Sequence, residues 1–241
     1  MSGSVKLPRD EVDWLLRGAL AAASKDDVTP VLCAVQWTIA DGRVTVLATD
    51  RYRVHQLYVR APKGTPDGEF LMDRSQADLL LRLRHSNARR LAGEVVELTW
   101  TDAETLPDPA PRKVARRYCG TLRFDIIAHD GADADVLSHT TEQVRGTFPA
   151  VGRLFDASSE SESERASEMA LDPEYVSAAR HLRVDRGEPL RFIIPARSEQ
   201  DAQIAGGSRR RPVLILNGSG TARALIQPNL MLKAVKDYGT D

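Results

Sequence analysis

The sequence predicts an α+β protein made of repeated βαβββ units, with helices on one face of joined antiparallel sheets. Three observations carry this reading. Apolar stripes at helical spacing recur in three separate stretches, short alternating strands follow each stripe, and turn residues divide the strands. One βαβββ unit has too few strands to cover its own apolar face. Units packed side by side solve that problem as a layer of helices against sheets.

The first unit spans residues 4–60. A strand is predicted over 4–7. Pro8 with Asp10 and Glu11 marks a helix start, because proline is tolerated there and carboxylates favour the positive end of the helix. Val12, Leu15, Leu16, Ala19 and Leu20 form one apolar stripe, and Asp26–Asp27 closes the segment. Strands follow over 31–39, 44–48 and 53–59, the first two joined by Ala40-Asp41-Gly42. Asp-Gly between apolar strands is a hairpin signal.

The second unit spans 68–148. It reads as a strand over 69–72, a helix capped by Asp73 or Ser75 and running to about Asn87, and strands over 95–100 and 122–128. Residues 103–117 are Pro-rich and then basic, and the polar stretch 130–147 has no clear assignment. Residues 156–167, rich in Ser and Glu and free of aromatics, read as a flexible acidic linker. The third unit opens with a strand over 169–171. Asp172 caps a helix that starts at Pro173, and strands follow over 190–195, 213–216 and 224–227. This gives a division into 1–155 with two units, the linker 156–167, and a shortened second domain, 168–241, with one unit.

Composition narrows the function. The chain of 241 residues has 33 basic and 34 acidic side chains, a net charge of −1. Any contact with nucleic acid therefore requires charges sorted by face rather than an overall basic protein. Cys33 and Cys119 are too few for a disulfide framework or a four-cysteine zinc site, and no two of the five histidines stand at metal-ligand spacing. No metal and no cofactor are expected. No apolar run could span a bilayer and the start lacks a signal-peptide pattern, so the expected compartment is the cytoplasm of a bacterium or a phage-infected cell.

Three segments resemble one family. Ala48-Thr49-Asp50-Arg51-Tyr52-Arg53-Val54 follows a strand, turn and strand over 31–48. Gly146-Thr147-Phe148-Pro149-Ala150-Val151 has Val151 in place of an aromatic residue, and Ala224-Leu225-Ile226-Gln227-Pro228 closes the last unit. In order and spacing these resemble the bacterial and phage DNA polymerase III beta subunit, the DNA sliding clamp, across its middle and C-terminal domains. The resemblance implies the DNA-clamp fold and a processivity factor that encircles duplex DNA without sequence preference. It also implies tethering of DNA polymerase and clamp-loader peptides. A twelve-unit ring would need four chains of three units, or three chains if 103–147 holds a fourth unit. The alternative is a clamp-like regulatory protein that binds replication or repair partners without closing a ring.

Site residues follow from that resemblance. An inner wall needs long cations that attract phosphates without fixing a register. The first helix offers Arg17 and Lys25. The second offers Arg74, Arg82, Arg84, Arg89 and Arg90, and the third offers Arg180 and Arg183. A partner-peptide pocket would draw on Leu32, Thr49, Arg51, Tyr52, Arg53 and Val54. Leu154, Leu225, Ile226, Pro228 and Asn229 would complete it. No nucleophile elbow, phosphate loop or zinc-protease motif is present, and the expectation is a protein without catalytic residues.

Overall fold

The structure is a computed structural model and describes residues 2–83, 94–101, 118–130, 133–155, 171–194 and 212–228. Strand β1 (Gly3–Pro8) leads directly into α1 (Arg9–Leu20). Asp10 and Glu11 in the first turn and Arg17 in the last both complement the helix dipole. The helix stops at Leu20, earlier than Asp26, and residues 30–33 are not strand. Pro30 starts a 3-10 turn (Pro30–Cys33), its fixed φ suiting a helical first position, so β2 (Ala34–Ala40) begins later than the apolar run suggests. β2 joins β3 (Arg43–Thr49) through Asp41 and Gly42 at φ 52° and 68°, the left-handed pair that a two-residue hairpin needs. β4 (Arg53–Arg60) completes the first unit.

β5 (Gly68–Asp73) enters α2 (Arg74–Arg82), and Asp73, not Ser75, is the cap: its carboxylate accepts from the Ser75 amide at 2.8 Å. Leu83 is already extended, so the helix ends before Asn87. β6 (Val95–Trp100), β7 (Tyr118–Asp130) and β8 (Asp133–Val144) follow, and β8 occupies the polar stretch that the sequence left unassigned. Asp172 caps α3 (Pro173–Ala178), its side chain accepting from the Glu174 amide at 2.8 Å, and a 3-10 turn (Ala179–Leu182) extends it. Leu171 is not in a strand, and residues 169 and 170 lie outside the described residues, as does the expected linker beyond residue 155. β9 (Leu190–Ile193), β10 (Val213–Asn217) and β11 (Ala222–Ile226) complete the third unit.

The strands form two antiparallel sheets, one in the order β1-β6-β7-β8 and one in the order β5-β2-β3-β4-β11-β10-β9. The opening strands are exchanged. β1 pairs with β6 of the second unit and β5 pairs with β2 of the first. The third unit joins the first through β4 and β11, the last strands of their units. A large core lies between helices and sheets, with Leu15, Leu16, Trp37, Leu57, Leu98 and Phe124 fully buried. Within it Trp37, Phe70 and Trp100 stack in series with centroids 5.6 and 5.5 Å apart. A side-chain carbon at Gly68 would come within 2.5 Å of the Trp100 indole, so glycine is required for that close approach. A second apolar cluster covers the opposite face of the larger sheet. There Phe148 and Phe155, on the segment after β8, lie over Leu47, Val54, Leu214 and Leu225.

Candidate nucleic-acid interface and partner surface

α1 is the middle of a row of helical elements, touching α2 on one side and the 3-10 turn after α3 on the other. It sits close on β4 because Gly18 has no side chain to meet Leu57. The Gly18 carbonyl also faces the buried His55 ring, 2.7 Å from Nδ1. A carbonyl only accepts, so Nδ1 carries the proton and the ring is the Nδ1–H tautomer. Nε2 is buried with no hydrogen-bond partner. Burial pushes the His55 pKa down to about 4, opposed by the bond to Gly18 and reinforced by Arg53 and His181. Arg9 joins α1 to α2, donating to Asp13 at 2.9 Å and to the Leu80 carbonyl at 2.8 Å.

The cations fall on this helical side in different roles. Arg180 lies beside His181, its Nε 3.3 Å from the ring Nε2, and the His181 pKa is lowered first by burial and then by the charges of Arg180, Arg17 and Arg183. Arg17 is exposed and pairs with Asp13 at 3.3 Å, and Arg180 is exposed. Arg82 is exposed and pairs with Asp78 one turn earlier. Arg74 is half-buried and donates to the Leu20 and Ala23 carbonyls at 3.2 and 2.9 Å, so it closes the C-terminal end of α1 rather than standing free on α2. Lys25 is exposed on the loop after α1 and not on the helix. Arg84, Arg89, Arg90 and the arginine cluster 209–211 lie outside the described residues.

Between α1 and α3 runs an open groove of about 490 Å³. Lys25, Arg53, Arg74, Arg180 and His181 line it, and Glu174 is its one acidic residue among the lining positions. Arg53 is the residue that the sequence assigned elsewhere. Its guanidinium bonds Asp50 at 2.9 Å and lies over the Tyr175 ring at 4.4 Å, on the helical side of the sheet.

The residues expected to form one peptide pocket divide between two faces, because a strand alternates its side chains. Val54 and Leu225 are cross-strand partners on the outer face, both buried beneath the segment carrying Phe148 and Phe155. Ile226 points the other way, into the core under the helices. Thr49 is buried and shapes the turn. Its hydroxyl donates to the Arg53 carbonyl at 2.7 Å and accepts from the Arg51 amide at 3.2 Å. Asp50 accepts from the amides of Tyr52 and Arg53, at 3.1 and 3.0 Å. The turn holds Arg51 at φ 82°, with its guanidinium on the Thr29 hydroxyl at 2.7 Å. Leu32 and Pro228 are buried, and Asn229 lies outside the described residues. Tyr52 at 60% and Leu154 at 46% exposure are the apolar side chains of this set open to solvent. The sequence missed Phe155, which is fully buried under the Arg223 guanidinium at 4.4 Å.

Among the described residues no cluster of His, Cys, Asp and Glu could hold a metal ion, and no helix is long and apolar enough to cross a membrane.

No family model matches the chain, and no curated protein matches it in sequence. Solved structures match it in fold. The DNA polymerase sliding clamp of Bacillus subtilis superposes with a TM-score of 0.60 at 14% identity, over 94% of this chain and 64% of that one. The beta subunit of DNA polymerase from Streptococcus pyogenes gives 0.60 at 12% identity, over 93% of this chain and 65% of that one. The DNA polymerase III subunit beta of Pseudomonas aeruginosa gives 0.57 at 13%, over 94% and 65%. The chain thus has the sliding-clamp fold and spans just under two thirds of the length of these clamps.

Proposed function

Starting from the sliding-clamp fold, we propose that this chain is a non-enzymatic processivity factor whose helical side faces duplex DNA within a ring of several copies. The observation that carries the reading is the open groove at the seam between α1 and the third unit, lined by Arg53, Arg180 and His181 with Glu174 as the one acidic lining residue, in a chain of net charge −1. Cations gathered on one side attract the phosphate backbone through counterion release and ask nothing of base sequence. Lys25 and Arg74 line the same groove. Tyr52 and Leu154, both exposed, are the apolar side chains available to a short partner peptide, such as one from a polymerase or clamp loader.

The test is topological. Wild-type protein loaded on nicked circular DNA is expected to stay bound through gel filtration in moderate salt and to slide off once the circle is cut. Arg17→Glu with Arg180→Glu is expected to abolish retention while native mass stays unchanged. Loss of two phosphate contacts lowers the salt slope by roughly 2. Retention that survives the double substitution refutes the inner-wall assignment. A native mass of 26.6 kDa, that of a single chain, favours the clamp-like binding module that does not encircle DNA.

A further inference from the structure

β3 and β4 carry a pair of like charges. Arg43 and Arg60 face each other directly across the ladder. The Ala61 amide donates to the Gly42 carbonyl at 2.9 Å, so the arginines take the next, non-hydrogen-bonded position, where opposed side chains stand closest. Alternation along the strands fixes their face. Arg43 lies in step with Leu47 and Arg60 with Val54, and both of these belong to the outer apolar cluster. The pair therefore stands on the side of the sheet opposite the helices.

Like charges in that position oppose the pairing of their strands. Both side chains are exposed, and neither takes part in an ion pair among the described residues. A cleft of about 330 Å³ adjoins them, lined by Asp41, Gly42, Arg43, Tyr58 and Arg60. Its single carboxylate, Asp41, sits at the left-handed turn with φ 52° and is likewise outside those ion pairs. One of the two cations is held in place. The Arg43 guanidinium lies over the Tyr58 ring at 5.0 Å, an arrangement that leaves its edge N–H groups able to donate. Tyr58 in turn is fixed to the third unit, its hydroxyl donating to the Gly220 carbonyl at 3.0 Å and its amide to the Thr221 carbonyl at 2.9 Å. An arginine positioned in this way loses little freedom when it engages a ligand.

We propose that this cleft binds a phosphoryl group, either free phosphate or the phosphate of a small monoester, with Arg43 and Arg60 both donating to it. Two guanidinium groups match the double charge of a phosphate, and each offers a planar fork of donors to its oxygens. A single carboxylate would neutralise only one of them. The volume stands at the lower end for small-molecule sites and suits a phosphoryl group with a small substituent. The site lies on the outer face, away from the basic groove, and does not rest on the clamp reading.

Titration calorimetry of the whole chain, in phosphate-free buffer of low ionic strength, tests this with inorganic phosphate, ribose 5-phosphate and acetate as probes. Saturable binding at one site per chain is expected for the first two, tightening as pH rises from about 6 to about 8 and phosphate loses its second proton. Whichever of the two binds more tightly identifies the ligand as ion or ester. Arg43→Gln and Arg60→Gln are each expected to weaken binding about tenfold or more. Asp41→Asn keeps a residue suited to the left-handed turn, removes the opposing charge and is expected to tighten binding. Retention on circular DNA is expected to be the same in both arginine variants as in the wild type, so failure of this site leaves the inner-wall reading standing. Acetate binding as tightly as phosphate, phosphate binding that survives both arginine substitutions, or no saturable binding at millimolar phosphate overturns the proposal.

Discussion

His55 lies mid-strand in β4, opposite Ala48 of β3 on one side and Ala224 of β11 on the other, with its ring against Gly18 of α1. It therefore sits on the seam joining the first and third units. The folded protein holds it neutral, with a pKa of about 4, while the unfolded chain titrates near 6.5. Between those values the unfolded state binds a proton that the folded state refuses. Stability is therefore complete above pH 6.5 and is lost as pH falls toward 4, by about 3 kcal/mol. His55→Leu removes the titration and costs about 1 kcal/mol at neutral pH for the lost bond to Gly18. Urea unfolding of both proteins at several pH values between about 7.5 and 4.5 reads the effect directly. The wild type is expected to be the more stable protein at neutral pH and the less stable one at about pH 4.5, with the curves crossing near pH 6. Curves that stay parallel would show that the ring does not titrate in this window, and the burial argument would be wrong.

Two further perturbations probe packing. Phe155→Ala empties the outer cluster beneath Arg223 and is expected to cost about 3–4 kcal/mol, read as a lower urea midpoint with an unchanged slope. Gly68→Ala drives a methyl group into the Trp100 indole and is expected to cost about 1–3 kcal/mol, with a change in the near-ultraviolet signal of the Trp37–Phe70–Trp100 stack.

The elements that were legible in the sequence are those whose signals are local. Asp41-Gly42 announced its hairpin, Asp172-Pro173 its helix start, and the apolar stripe of α1 its buried face. β8 was not legible, because it is an edge strand whose solvent side carries Ser138, Thr140 and Glu142, and no apolar alternation marks it. The candidate site was only half legible. Ala48 to Val54 was recognised as a motif, yet assigning Arg53 and Val54 to one pocket ignored the period of two that sends them to opposite faces. The role of Arg74 depends on where the end of α1 arrives in space, more than fifty residues away in sequence, and no local pattern encodes that.

Strand exchange has a consequence for how the chain acquires its shape. β1 leaves the ribosome before β6 and must wait for it, some ninety residues behind, before its amide groups find the partners they have in the fold, and β2 waits likewise for β5. Neither half can finish alone. These pairings join distant segments, and sheets built that way form slowly compared with a helical bundle of equal size. Until Trp100 has emerged, the Val-Lys-Leu stretch of β1 lacks the partner strand that it has in the fold.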